Sequence, residues 1–148
     1  MTQPAVVSFS DQLLPTIRPA EKDDWAYIMD SWKKSYHDQG ADNRSVPGHI
    51  YWPNQHARIE DLRRNAAVSF RVAADPEDSS FIWGWACVEG ETLHYVFVRA
   101  SAQGQGVAKL LLVGMPRPLA CTHWTKAAEA YSRKRPGVVL YEPSRRKK

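Results

Sequence analysis

Hydrophobic positions recur along this chain with two different periods, and the places where the period changes mark its elements. Thr16-Ile17-Arg18-Pro19-Ala20 reads as a short strand whose proline suits a strand end, and Asp23 or Asp24 can cap the next element. Trp25, Ile28, Met29 and Trp32 then return at helical spacing. They predict a first helix ending near 37–40, where Asp38-Gln39-Gly40-Ala41-Asp42-Asn43 breaks the pattern. Between 46 and 54 the breakers Pro47, Gly48 and Pro53 predict a long irregular loop, unusual in carrying His49, Tyr51 and Trp52. Ala57, Ile59, Leu62 and Ala66 mark a second, shorter helix.

From Val68 the period falls to two. Val68, Phe70 and Val72 share one face of a strand ending at Asp75-Pro76-Glu77-Asp78, a second strand covers 81–88, and a third covers 93–98. Together they form an antiparallel meander, with Glu89-Gly90-Glu91 as a tight connection whose glutamates are expected in solvent. Strict alternation on the third strand sets Thr92, His94, Val96 and Val98 on one face and Leu93, Tyr95 and Phe97 on the other. A third helix opens at Val107 with Val107, Leu110 and Leu111 on one side and stops before Pro116 and Pro118. A strand over 119–124, a last helix over 126–134 and a closing strand over 138–141 complete the order βααβββαβαβ, an α/β (α+β) chain.

A length of 148 residues fits one domain over 1–148, with the leader 1–15 and the basic tail 143–148 expected to be flexible. The mean hydropathy is negative, and no apolar stretch reaches the roughly 18 residues a bilayer span needs, so no membrane role is expected. The first residues lack the basic start and apolar centre of a secretory signal, which makes the cytoplasm the expected location. Cys87 and Cys121 lie in apolar runs without metal-ligand spacing; buried reduced thiols and no metal are expected. The net charge of +4 is largely a tail effect, since Arg135, Arg145, Arg146, Lys147 and Lys148 crowd the end. Nucleic acid is therefore not the expected partner, and no nucleic-acid motif is present.

The residues Gln103-Gly104-Gln105-Gly106-Val107-Ala108 stand where the third meander strand turns into a helix. Glycines at such a turn let the backbone approach a ligand and let several N–H groups point one way, which makes a seat for phosphate. A dinucleotide fingerprint is disfavoured, because the preceding strands form a meander and GxGxxG is incomplete; a Gly-Lys-Ser/Thr phosphate loop is absent.

Gln103, Gly106 and Ala108 match the pattern Gln/Arg-x-x-Gly-x-Gly/Ala, and with the meander running into it the chain resembles the GCN5-related N-acetyltransferase (GNAT) superfamily. Ile17-Arg18-Pro19-Ala20 followed by an acidic cap also resembles that family's opening strand and helix. The resemblance spans about 16–142 by order of elements. It implies an enzyme that moves an acetyl group from acetyl-CoA to an amine by direct attack, with no covalent intermediate and no metal. The turn from Gln103 through Gly104, Gln105, Gly106 and Val107 to Ala108 would hold the pyrophosphate of coenzyme A. The backbone of Val96, Phe97 and Val98 would pair with the pantetheine arm in a gap between splayed strands.

His94, nine positions before Gln103, falls where some members, arylalkylamine N-acetyltransferases among them, carry a histidine that takes the amine's proton. The structural alternative is an inward polar residue satisfied by a backbone carbonyl. Thr92 stands where other members have a glutamate, and cannot act as a base. Tyr131 matches the tyrosine that protonates the departing thiolate, or else is a core aromatic. Its surroundings depart from the family pattern, since Tyr-x-x-x-Gly-Phe is replaced by Tyr131-Ser132-Arg133-Lys134-Arg135-Pro136-Gly137-Val138. Tyr51 and Trp52 would wall the acceptor site. The acceptor is a small-molecule amine or a peptide or protein amine, and a homodimer is left open. A GNAT-like module that binds acyl-CoA or a partner protein without turnover is the alternative.

Overall fold

The computed structural model describes residues 14–38, 44–115, 119–122 and 139–141. Its elements are β1 (Thr16–Pro19), α1 (Trp25–Asp38), α2 (Gly48–Arg64), β2 (Ser69–Asp75), β3 (Asp78–Glu89), β4 (Thr92–Val98), α3 (Val107–Leu111), β5 (Leu119–Cys121) and β6 (Val139–Tyr141). The six strands form one sheet in the order β1-β2-β3-β4-β5-β6. β1 to β4 pair antiparallel, while β4, β5 and β6 pair parallel. The sequence order of elements is reproduced up to β5; the predicted helix over 126–134, the leader up to residue 13 and the tail beyond 141 lie outside the described residues.

The meander strands alternate between two cores, one on each face of the sheet. Phe70 and Val72 of β2, Trp85 and Cys87 of β3, and Tyr95 of β4 meet Ile28 and Trp32 of α1 and Ile59 and Leu62 of α2. Ala73, Ala86, Val88 and Leu93 meet Val107 and Leu111 of α3 on the other face. The first core is aromatic: Trp32 stacks on Tyr95 with ring centroids 5.1 Å apart, and Trp85 lies 5.2 Å from Trp32 and 5.7 Å from Tyr95. Burying one tryptophan of this kind contributes about 4–6 kcal/mol by area alone.

α1 begins at a short helical turn in which the Glu21 N–H donates to the Asp24 carboxylate at 2.7 Å. Arg18 grips the same carboxylate at 2.7 and 3.2 Å, which ties β1 to the start of α1. The loop expected over 46–54 is instead the first two turns of α2, a helix of 17 residues. Tyr51, Gln55, Ile59 and Leu62 recur every three or four positions and are the residues it buries. That burial outweighs Pro53, which sits exposed inside the helix and leaves one carbonyl of the preceding turn without its amide. The Pro47 carbonyl starts the helix by accepting the N–H groups of Ile50 and Tyr51, both at 2.9 Å.

Candidate functional site

The site is built around a fault in β4. Val88 lies opposite Leu93 and Cys87 opposite Tyr95, which leaves His94 as the extra residue of a β-bulge. The bulge overturns the alternation expected from the sequence: Leu93 packs with Val96 and Val98 on the α3 face, while Tyr95 and Phe97 belong to the α1 and α2 face. A one-residue insertion inverts every side chain beyond it, and nothing local in the sequence encodes it. β5 follows β4 only up to this fault. Thr92 and Leu93 pair with Ala120 and Cys121, and the Thr122 N–H donates to the Leu93 carbonyl at 3.1 Å. Among the described residues the pairing of β5 with β4 runs to Leu93, and Thr122 closes it.

On its other edge β4 stays paired with β3 as far as Val98. The Arg99 N–H donates to the Trp83 carbonyl at 2.8 Å, so the Phe97–Trp85 pair is hydrogen-bonded and the backbone groups of Phe97 turn toward β3. The N–H and C=O groups of Val96 and Val98 therefore turn away from β3, toward the β5 side. Gln103 reaches back along the strand, its amide nitrogen donating to the Val98 carbonyl at 3.0 Å.

The turn after β4 uses glycine where only glycine is comfortable: Gly104 has φ 81° and Gly106 has φ 83°. A Cβ built on either would meet nothing within 4 Å, so the turn stands open on the outside. α3 is only five residues long, and its dipole is correspondingly small. Any anion held here would depend on the turn's own amides, gathered as in a backbone nest. A cavity of about 220 Å³ adjoins the turn, lined by Asp75, Phe81, Trp83, Ser101, Ala102 and Gln105.

In the bulge, His94 is 1% exposed and engaged at both nitrogens. Nδ1 lies 3.0 Å from Thr122 Oγ1 on β5, and Nε2 lies 2.9 Å from Glu89 Oε1 at the end of β3. Glu89 was expected in solvent; it is partly buried, with 22% of its side chain exposed, because the bulge swings the imidazole onto it. Cys87 lies two residues before Glu89 and Cys121 one before Thr122. Burial, with a smaller push from Glu89, holds the Cys87 thiol far above its ordinary value, and burial pushes Cys121 up to about 11. Both stay protonated thiols at neutral pH, without the thiolate that nucleophilic or metal chemistry needs.

Solved structures share the fold of this chain. A Corynebacterium glutamicum protein described as histone acetyltransferase HPA2 and related acetyltransferase aligns with a TM-score of 0.56 at 23% identity, over 82% of this chain and 84% of its own. A Pyrococcus furiosus protein assigned as an acetyl transferase gives 0.53 at 16%, over 84% and 78%. Bacillus subtilis YycN, assigned as an acetyltransferase, gives 0.52 at 14%, over 85% and 80%. This is the GNAT fold. No protein-family model matches the sequence, and no curated protein does.

Within the GNAT fold the residues singled out from the sequence separate into three groups. Val96 and Val98 lie on the stretch of β4 that leads into the turn from Gln103 to Ala108. Tyr51 and Trp52 lie on α2 and face different ways. The Tyr51 hydroxyl donates to the Lys33 carbonyl of α1 at 2.8 Å, and burial pushes its pKa up, so this side chain is committed to the helix pair. Trp52 stacks on His37 at 5.0 Å and keeps an exposed face. Tyr131 lies outside the described residues. Glu89 and Thr122 went unread because their meeting at His94 depends on the bulge and on the parallel neighbour strand. The one available hint was a histidine five residues after a glutamate across a tight turn. No helix among the described residues is long and apolar enough to cross a membrane, and these residues hold no group of three metal-ligating side chains.

Proposed function

We propose that this chain is an N-acetyltransferase that takes the acetyl group of acetyl-CoA and passes it to an amine by direct attack. The observation that carries the reading is that the backbone groups of Val96 and Val98 turn away from β3 on a strand running straight into a turn with two positive-φ glycines. An extended acyl carrier needs backbone groups to pair with along its arm and amides to hold its phosphates. Val96 and Val98 would supply the first and the Gln103–Ala108 turn the second. The Val96 N–H, next to the fault, would donate to the thioester oxygen and stabilise the negative charge that develops there as the amine adds. The exposed face of Trp52 on α2 would border the acceptor, a small-molecule amine or a peptide or protein amine.

Native mass spectrometry and titration with coenzyme A test the cofactor, and thiol release with a panel of amines tests the reaction. Gly106→Glu sets a carboxylate into the turn where the diphosphate would sit; it is expected to abolish binding at a cost of about 1–2 kcal/mol in stability from the positive φ, which thermal unfolding separates from the loss of binding. Undiminished affinity in that variant removes the turn from the site. Saturable binding without thiol release for any amine would make the chain a binding module instead.

A further inference from the structure

We propose that Glu89, not His94, takes the proton from the attacking amine, and that His94 is the positioning residue behind it. The inference rests on the acyl-transfer reading above. Three side chains form one hydrogen-bonded line: Glu89 at the end of β3, His94 in the bulge of β4 and Thr122 just beyond β5. Thr122 is fully buried and His94 nearly so, which leaves Glu89 as the member of the line that an amine in water can reach.

The protonation pattern is dictated by donor chemistry. A carboxylate only accepts, so the proton between Glu89 and His94 sits on Nε2, and Nδ1 is occupied by Thr122 Oγ1, which also lies 3.4 Å from the His94 carbonyl oxygen. A ring held in this way has no lone pair to offer a substrate. What it does offer is a fixed, partly desolvated place for Glu89 Oε1. Alternation along β3 carries Glu89 on the same face as Trp85 and Cys87, the face covered by α1 and α2, where Trp52 also lies.

In the step proposed, the amine nitrogen bonds to the thioester carbonyl carbon and becomes positively charged. Its proton, now acidic, passes to the Glu89 carboxylate. The C–S bond breaks, the thiolate leaves and takes a proton from water, and Glu89 returns its own proton to water. Among the described residues the titratable groups facing Glu89 are His94 from β4 and Cys87 from its own strand, and the non-titrating Thr122 lies just beyond β5. Cys87 stays neutral, so it adds no second titration to the rate profile.

The test measures thiol release from acetyl-CoA with the amine panel between pH 6 and 10. Glu89→Gln keeps an oxygen for Nε2 but cannot take a proton. It is expected to lower kcat about 100-fold at pH 7 with the KM for acetyl-CoA unchanged, the loss narrowing as hydroxide takes over at high pH. His94→Gln still presents an N–H to Glu89 and is expected to stay within about tenfold of the parent, a base contributing far more than that when lost. Nitrogen-15 NMR should show His94 protonated at Nε2. Coenzyme A affinity and thermal unfolding report folding, and Glu89→Asp, with an intermediate loss expected, serves if the glutamine variant does not fold. An active parent with Glu89→Gln at full rate, a His94→Gln loss as deep as that of Glu89→Gln, or a bare Nε2 would each overturn Glu89's role alone. A parent that binds coenzyme A and acetylates no amine would instead retire the transfer reading, and this role with it.

Discussion

Gly84 stands where β3 presses closest on β4, and replacing it by alanine tests whether that spacing is set as described. A Cβ at this position would lie 2.5 Å from the Phe97 carbonyl oxygen and 3.2 Å from Val98 Cα, both backbone atoms that cannot swing aside. In an ordinary strand, alanine for glycine gains about 0.5–1 kcal/mol by restricting the unfolded chain. Here the collision must be relieved by moving β4 away from β3, because β3 is held on its other edge by β2. Forced overpacking of this kind costs about 1–3 kcal/mol, which leaves a net loss of about 1–2 kcal/mol. For a chain of this length that lowers the melting temperature by about 3–7 °C, readable by circular dichroism or calorimetry. The displacement is also directed toward the β5 side, where the Val96 and Val98 backbone groups turn, so the variant should bind coenzyme A more weakly than its loss of stability explains. A Gly84→Ala protein as stable as the parent would refute the close approach of β3 and β4.

Two further outcomes are expected from the packing. Pro53→Ala restores an amide inside α2 at an exposed position and should stabilise the protein by about 1–3 kcal/mol, seen as a raised urea midpoint; no change would mean that α2 starts after Pro53. Asp24→Asn removes the charge that Arg18 grips and should cost about 2 kcal/mol at pH 7. Burial alone would raise the Asp24 pKa, but the Arg18 hydrogen bonds and the Glu21 N–H outweigh it and hold the carboxyl below its ordinary value. A depressed carboxylate stabilises the fold above its unfolded pKa of about 3.9, and that contribution disappears as the pH falls through the folded value. The difference between parent and variant in denaturant titrations should therefore be full at pH 7 and vanish toward pH 2; a pH-independent gap would contradict the ion pair.

The meander and the glycine turn were legible because their signals are local: alternation in β2 and β3, an acidic turn between them, and two glycines at positions that demand positive φ. α2 was half-read. Pro47, Gly48 and Pro53 have the local signature of a loop, while the gain from burying Tyr51 and Gln55 against α1 is a tertiary term that appears only when both helices are in place. The bulge at His94 was out of reach for a different reason. Register belongs to a pair of strands, and a single strand read alone always alternates. The face assignment of Leu93 and the solvated reading of Glu89 both failed on that one inserted residue.

The stack of Trp32, Trp85 and Tyr95 has a practical consequence. Tyr95 is the first residue of β4 past the fault, and its ring packs against both indoles, so any molecule that enters beside this strand and shifts it by a fraction of an ångström alters the surroundings of two emitting groups at once. Ultraviolet emission should accordingly change in intensity and wavelength on occupancy. The native protein can thus be titrated with candidate ligands in plain buffer, with no dye, tag or coupled assay.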